Sequence, residues 1–269
     1  MNHNASPIDP AALPHLKAAM REAGARIEAH RAAGVVARDK ADDSPVTDAD
    51  EEAEAILRAA LLAVEPAAVI VGEEGAAGGD LPPPAPRFWL IDPLDGTRDF
   101  LGGRDGYTVN LGLVVEGAPR FGLVLHPPSR RLWAGLVGEG ATLETGLGPA
   151  NPIHGRALPP APALVVSHSH LDDRTRAWAE AVTGATRASA GSSIKFCLLA
   201  EGQADAYPRF GPTMEWDTAA ADAVLRAAGG MTLGADGRPF AYGKAGYRNG
   251  PFLALGDPRA AAILPAFGD

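Results

Sequence analysis

The sequence predicts an α/β fold, of α+β character overall, built from two unlike halves: residues 1–150 and 151–269. Three observations lead there. Apolar residues recur at helical spacing in the first stretch of chain. Strand-like runs punctuated by glycine and proline fill 88–144. Beyond 163, strand-like and helix-like segments alternate, which suggests an α/β layer.

In order, residues 11–33 carry Leu13, Leu16, Met20 and Ile27 on one helical stripe. The segment 37–50, "ARDKADDSPVTDAD", reads as a polar loop, and 48–64 as a second helix with acids in its first turn, where the dipole favours them. "AAVIVGEEG" reads as a short buried strand ending at Gly72, Glu73 and Glu74. The Gly/Pro-rich 74–87 is expected to be a mobile loop. "FWLID", "YTVNLGLVVEG", "RFGLVLHPP", "RLWAGLV" and "ATLE" predict a largely antiparallel sheet. Segment 145–163 is the expected boundary between the halves. Then follow strand "LVVSH", a helix from Asp172, a strand near Thr186, helix "SSIKFCLLAEG", strand "ADAYPRF" and helix "WDTAAADAVLRAAGG". No repeat of 20–50 residues is visible.

Composition narrows the function. With 269 residues and 46% hydrophobic content, the chain is globular and long enough for two packed halves. The net charge of −9 and the lack of a basic patch argue against a nucleic-acid polymer as partner. A small anionic substrate would need metal ions or local Lys/Arg to receive it. The lone cysteine, Cys197, reads as a core thiol without an intrachain disulfide. No signal-peptide pattern and no run near 18 apolar residues is found, so the expected compartment is the cytoplasm, without a transmembrane segment; peripheral membrane association stays open.

The chemistry is written in acids at element ends: Asp48/Asp50, Glu73/Glu74, Asp92/Asp95 and Asp217. Singly, each is turn or cap chemistry, and "DPLDG" alone is a good turn. Together they suggest a cage for hard divalent cations, which prefer carboxylate and carbonyl oxygens. No H-E-x-x-H or C-x-x-C suggests zinc, and His168 and His170 read as a loop pair. "DPLDGT" lacks the EF-hand spacing. Asp92 and Asp95 stand three apart, whereas haloacid-dehalogenase phosphatases place their aspartates two apart, so a covalent aspartyl-phosphate is disfavoured.

"VGEEG", "WLIDPLDGTRDF" and "WDTAAADAVLRAAGG", in this order, resemble the inositol-monophosphatase superfamily of Mg²⁺-dependent, lithium-sensitive phosphatases, over about residues 35–256. Within it, "GSSIKFCLLAEGQADAYPRFGPTMEWDTAA" and "SPVTDAD" look most like the 3′(2′),5′-bisphosphate nucleotidases of bacterial sulfate assimilation. The resemblance implies a layered αβαβα sandwich with two or three Mg²⁺ ions between its halves. It implies Glu73, Asp92 and the Leu94 carbonyl at a first ion, and Asp92, Asp95 and Asp217 at a second. Glu74 is implied at a third ion or, equally, as a neighbouring solvated acid. Thr97, polarised by Asp50, is implied to take the proton of the attacking water; from the residues alone Thr97 is a turn or cap residue. Gly96 and Thr97 would bind the phosphate being transferred. Ser192, Ser193, Lys195, Tyr207 and Arg209 would bind the rest of the substrate, with His170 as a further contact; "GSSIK" could equally be a plain helix cap with an exposed lysine. Inositol monophosphatases carry a glutamate where Arg209 stands, and an arginine suits a second phosphate. The expected activity is removal of the 3′-phosphate of adenosine 3′,5′-bisphosphate, and of 3′-phosphoadenylyl sulfate as a further substrate. The rivals are an inositol- or sugar-phosphate phosphatase of the same fold and a non-catalytic Mg²⁺/nucleotide-binding protein.

Overall fold

A computed structural model describes residues 6–34, 38–39, 45–168 and 171–268. Two sheets dominate it. The larger has seven strands in chain order: Ile70–Gly72, Arg87–Asp95, Thr108–Val115, Ala118–His126, Arg131–Leu136, Gly140–Thr145 and Asn151–Ile153. Only its first pair is parallel. The smaller has five strands, in the spatial order Thr186–Ala190, Ala163–Ser167, Ala206–Arg209, Phe252–Leu255, Met231–Gly234. Its first three run parallel, because helices Asp173–Ala181 and Ile194–Ala200 supply the crossovers that parallel strands require. Its last two pair antiparallel to their neighbours.

The pleat explains the layering. Trp89 and Ile91 pack with Leu16, Met20, Ile27, Leu57 and Leu61 of helices Ala12–Ala33 and Asp48–Val64. Phe88 and Leu90 point the other way, into a core shared with Phe196, Leu199, Ala220 and Val224. That core belongs to helices Ile194–Ala200 and Ala219–Ala227, which lie between the sheets. The outer face of the small sheet buries Leu164, Val166, Leu253 and Leu255 against Trp178 and Ala179 of helix Asp173–Ala181. The order is therefore αβαβα, as the sequence led us to expect.

Three glycines set the depth of the middle layer. Gly112, Gly122 and Gly135 are register partners across three adjacent strands. A Cβ on Gly122 would lie 1.9 Å from the Ala220 carbonyl oxygen, and one on Gly135 2.4 Å from the Val224 Cα. Only a bare backbone lets the alanine-rich helix Ala219–Ala227 sit this close. Asp217 lies just before that helix, so its height above the large sheet is set there.

Some elements differ from expectation. Glu73 and Glu74, expected at the end of a strand, instead open a five-residue helix, Glu73–Ala77, that runs into the segment expected to be loop. Strand Arg87–Asp95 continues past Asp92, with a register shift before Asp95. The polar loop before the second helix contains a two-residue ladder, Arg38–Asp39 against Pro45–Val46. No helix among the described residues is long and apolar enough to cross a membrane.

Candidate active site

The cleft opens where the strand Arg87–Asp95 ends. Asp92 pairs with Asn110, then two residues intervene before Asp95 pairs with Thr108. This bulge holds both acids at one edge of the cleft. The Leu94 amide donates to Asp92 Oδ1 at 3.1 Å, and the Leu94 carbonyl accepts the Thr97 hydroxyl at 3.0 Å. Gly96 has φ +98°, and a Cβ there would lie 2.6 Å from the Gly106 carbonyl oxygen, so the turn into helix Thr97–Leu101 needs glycine.

The cleft, of about 580 Å³, brings Glu73, Asp92, Leu94 and Asp95 together with Gly96 and Thr97. Asp217 faces them from the helix layer, its carboxylate accepting the Met214 amide at 2.8 Å. Ser192, Ser193, Lys195, Tyr207 and Arg209 form the remaining wall expected from the sequence. Asp50 stands behind Thr97, its Oδ1 3.4 Å from the hydroxyl, while its Oδ2 accepts the Thr47 amide and hydroxyl at 2.8 and 2.6 Å. Glu74 does not line the cleft; its amide donates to the buried Glu54. His170 lies outside the described residues.

Electrostatically, the acids act as one group. Burial first, then repulsion from Glu73, Asp95 and Asp217, pushes the Asp92 carboxyl well above the usual range. Burial, then Asp95 and Glu73, does the same to Asp217. Asp95 is also raised by burial, against the opposing pull of Ser192, Lys195 and Arg209. Among the described residues, no three acidic, histidine or cysteine side chains form a closed metal cluster. The acids thus share one field without converging on a point. A donor set of carboxylates and one backbone carbonyl, mutually repelling and without imidazole or thiolate, fits a hard divalent cation such as Mg²⁺.

The opposite wall is cationic. Lys195 is only 3% exposed, and burial lowers its ammonium to about 8. It donates to the carbonyls of Ser192 at 2.5 Å and Ala190 at 3.3 Å, and lies over the Tyr207 ring. It is not the exposed lysine of the bland alternative. Arg209 is also buried, donating to the carbonyls of Gly211 at 3.1 Å and Pro212 at 3.2 Å.

Three residues that position this site escaped the sequence reading. Glu54 reaches across Gly72 to accept the amides of Glu74 and Gly75 at 2.9 and 3.1 Å, which fixes the turn bearing Glu73. Thr108 and Asn110 lie buried beneath Ser192 and Ser193. Their one signal was that two polar residues interrupt an otherwise apolar strand.

The sequence model of the inositol monophosphatase family matches residues 10–264. The chain belongs to the inositol monophosphatase family. Among its relatives in this family, the 3′(2′),5′-bisphosphate nucleotidase CysQ of Escherichia coli (strain K12) is 39% identical over 203 residues, 76% of this chain and 81% of that protein. A histidinol-phosphatase of Mycobacterium tuberculosis is 32% identical over 206 residues, 74% of this chain and 77% of that one. The crystal structure of CysQ from Bacteroides thetaiotaomicron superposes with a TM-score of 0.74 at 31% identity, covering 91% of this chain and 97% of that one.

Proposed function

We propose that this member of the inositol monophosphatase family removes the 3′-phosphate of adenosine 3′,5′-bisphosphate, with 3′-phosphoadenylyl sulfate as a further substrate of the same shape. The observation that carries the reading is the division of the cleft into an acidic wall and a cationic wall. One phosphate belongs at the acids, through cations. The other belongs beside Lys195 and Arg209, which a monophosphate would leave unused. The relationship to CysQ at 39% identity supports the same substrate class.

Glu73, Asp92, the Leu94 carbonyl, Asp95 and Asp217 would hold two or three Mg²⁺ ions. Bound there, the cations supply charge neutralisation on the phosphoryl oxygens and make water a better nucleophile. The chain supplies the rest. Hydrolysis forms a P–O bond to water and breaks the P–O3′ bond, so the attacking water must lose a proton and the leaving O3′ takes one from solvent. The Thr97 hydroxyl takes up water's proton as its own passes to Asp50. In the structure that hydroxyl points at the Leu94 carbonyl at 3.0 Å and has Asp50 Oδ1 as its alternative acceptor at 3.4 Å. Amides at the Gly96–Thr97 turn orient the transferring phosphate. A histidinol phosphate, with a cationic tail, would meet like charge at Lys195 and Arg209.

The test is phosphate release from adenosine 3′,5′-bisphosphate, inositol 1-phosphate and histidinol phosphate, each with Mg²⁺ and with EDTA. The nucleotide should show the highest kcat/KM, and EDTA should abolish it. Preference for either monophosphate overturns the assignment.

A further inference from the structure

Beneath the acidic wall lies a chain of hydroxyls and one amide, all buried or half-buried. The Ser192 hydroxyl donates to Asp95 Oδ2 at 2.6 Å. Its oxygen is in turn within hydrogen-bonding distance of the Thr108 hydroxyl. Thr108 Oγ1 also stands 2.8 Å from Ser193 Oγ and 3.3 Å from Asn110 Nδ2. Ser193 donates to Asn110 Oδ1 at 2.7 Å. Ser192 itself adopts φ +52°, an uncommon conformation for a residue other than glycine.

The proton count gives this chain a direction. A hydroxyl donates once. The Ser192 proton is spent on Asp95, so between Ser192 and Thr108 the donor is Thr108. The Ser193 proton has Asn110 Oδ1 and Thr108 Oγ1 as alternative acceptors at 2.7 and 2.8 Å, and the Asn110 amide also donates to Thr108 Oγ1. The donors therefore run toward Asp95, from Ser193 and Asn110 through Thr108 to Ser192, whose oxygen also accepts the Ser193 backbone amide at 2.5 Å. Thr108 is wholly buried and is the register partner of Asp95, so the strand pairing that makes the bulge also sets the relay.

We propose that Thr108, anchored by Asn110, is a positioning residue that, through the Ser192 hydroxyl on Oδ2, orients the Asp95 carboxylate for a divalent cation. The proposal rests on reading Asp95 as a cation ligand. It also gives the Ser192 and Ser193 hydroxyls a role inside the protein, which leaves Lys195 and Arg209 as the substrate-facing cations of that wall.

The experiment is Mg²⁺ binding by calorimetry, without substrate, for wild type, Thr108→Val and Thr108→Ser, with each melting point measured in EDTA as a check of folding. Partners of metal ligands are worth about 10–100-fold in metal affinity, so Thr108→Val should weaken Mg²⁺ binding by that factor. Thr108→Ser, which keeps the hydroxyl, should recover most of it. Should Thr108→Val not fold, Thr108→Cys replaces it, with an intermediate loss expected from a weak donor. Unchanged binding by Thr108→Val overturns the relay, as does a Thr108→Ser loss equal to that of Thr108→Val, which would mean packing. Absence of Mg²⁺ binding by the wild type overturns the cation reading itself, a failure distinct from that of the relay.

Discussion

Asp92 is only 1% exposed, with burial and three other carboxylates raising its pKa. Asp92→Asn should therefore act in two ways. It should remove the Mg²⁺-dependent rise in melting point, since a ligand binding only the folded state stabilises it by mass action. In EDTA it should melt no lower than wild type, because a buried repulsion has been relieved. A loss of about 4 kcal/mol of transition-state stabilisation would lower kcat roughly 10³-fold. Melting curves and kcat at saturating Mg²⁺ check both; near-normal kcat would reject this placement. Lys195 gives a pH signature. Burial sets its folded pKa at about 8 against 10.5 for the free group. A base depressed on folding binds fewer protons when folded, so stability rises as pH climbs from about 8 toward 10.5. Urea melts at pH 7.5 and 9.5 should show wild type gaining on Lys195→Met, while KM for the bisphosphate rises over the same limb as the ammonium discharges. Parallel pH curves for the two proteins would remove Lys195 from the account.

Helices and strands place these residues through a few tight contacts. Gly122→Ala puts a methyl group against the Ala220 backbone, where overpacking typically costs about 1–3 kcal/mol. The melting point should fall by about 2–4 °C per kcal/mol, and Mg²⁺ affinity should fall with it, because Asp217 precedes the displaced helix. Gly250→Ala, with open space around it, is the control and should change neither. The capping box at the helix Asp48–Val64 serves two ends, because Asp50 Oδ2 closes the cap with Thr47 while Oδ1 faces Thr97. Thr97→Ala and Asp50→Asn should each lower kcat more than they raise KM, and the double mutant should lose little beyond either. Additive losses in that cycle would separate the two residues. What the sequence made legible follows the same physics. Runs such as Phe88–Ile91 alternate between two buried cores, so their strand was plain. Met231–Gly234 and Phe252–Leu255 were missed because four residues between turns carry no measurable period, although Phe252–Leu255 is an inner strand of the small sheet. Asp92, Asp95 and Asp217 were legible as acids at element ends. Glu54 was not, since an acid within a helix reads as a solvated face until Gly72 opens its path to the next turn.

At the scale of the whole molecule, the residues proposed for catalysis and those proposed for recognition come from different layers. Glu73, Asp92 and Asp95 hang from the large sheet, and Asp217 from the helix layer. Arg209 ends a strand of the small sheet and faces them across the cleft. An acidic side that held only the phosphate being removed could not tell a nucleotide bisphosphate from a sugar monophosphate. In the proposed reading that choice falls to the cationic side. A hydrogen bond between charged groups contributes about 1.5–3 kcal/mol, or roughly tenfold to 150-fold in kcat/KM. Arg209→Ala should lower kcat/KM for adenosine 3′,5′-bisphosphate by that range, and Arg209→Glu by more, since it sets like charge against the 5′-phosphate. The guanidinium also donates to the carbonyls of Gly211 and Pro212, so part of any loss is structural. That part falls on every substrate alike, and the ratio of kcat/KM for the nucleotide to that for inositol 1-phosphate cancels it. The ratio should drop in both variants, further in Arg209→Glu. If it stays constant while both activities fall, Arg209 only braces the turn at 211–212, and selection of the second phosphate belongs to Lys195.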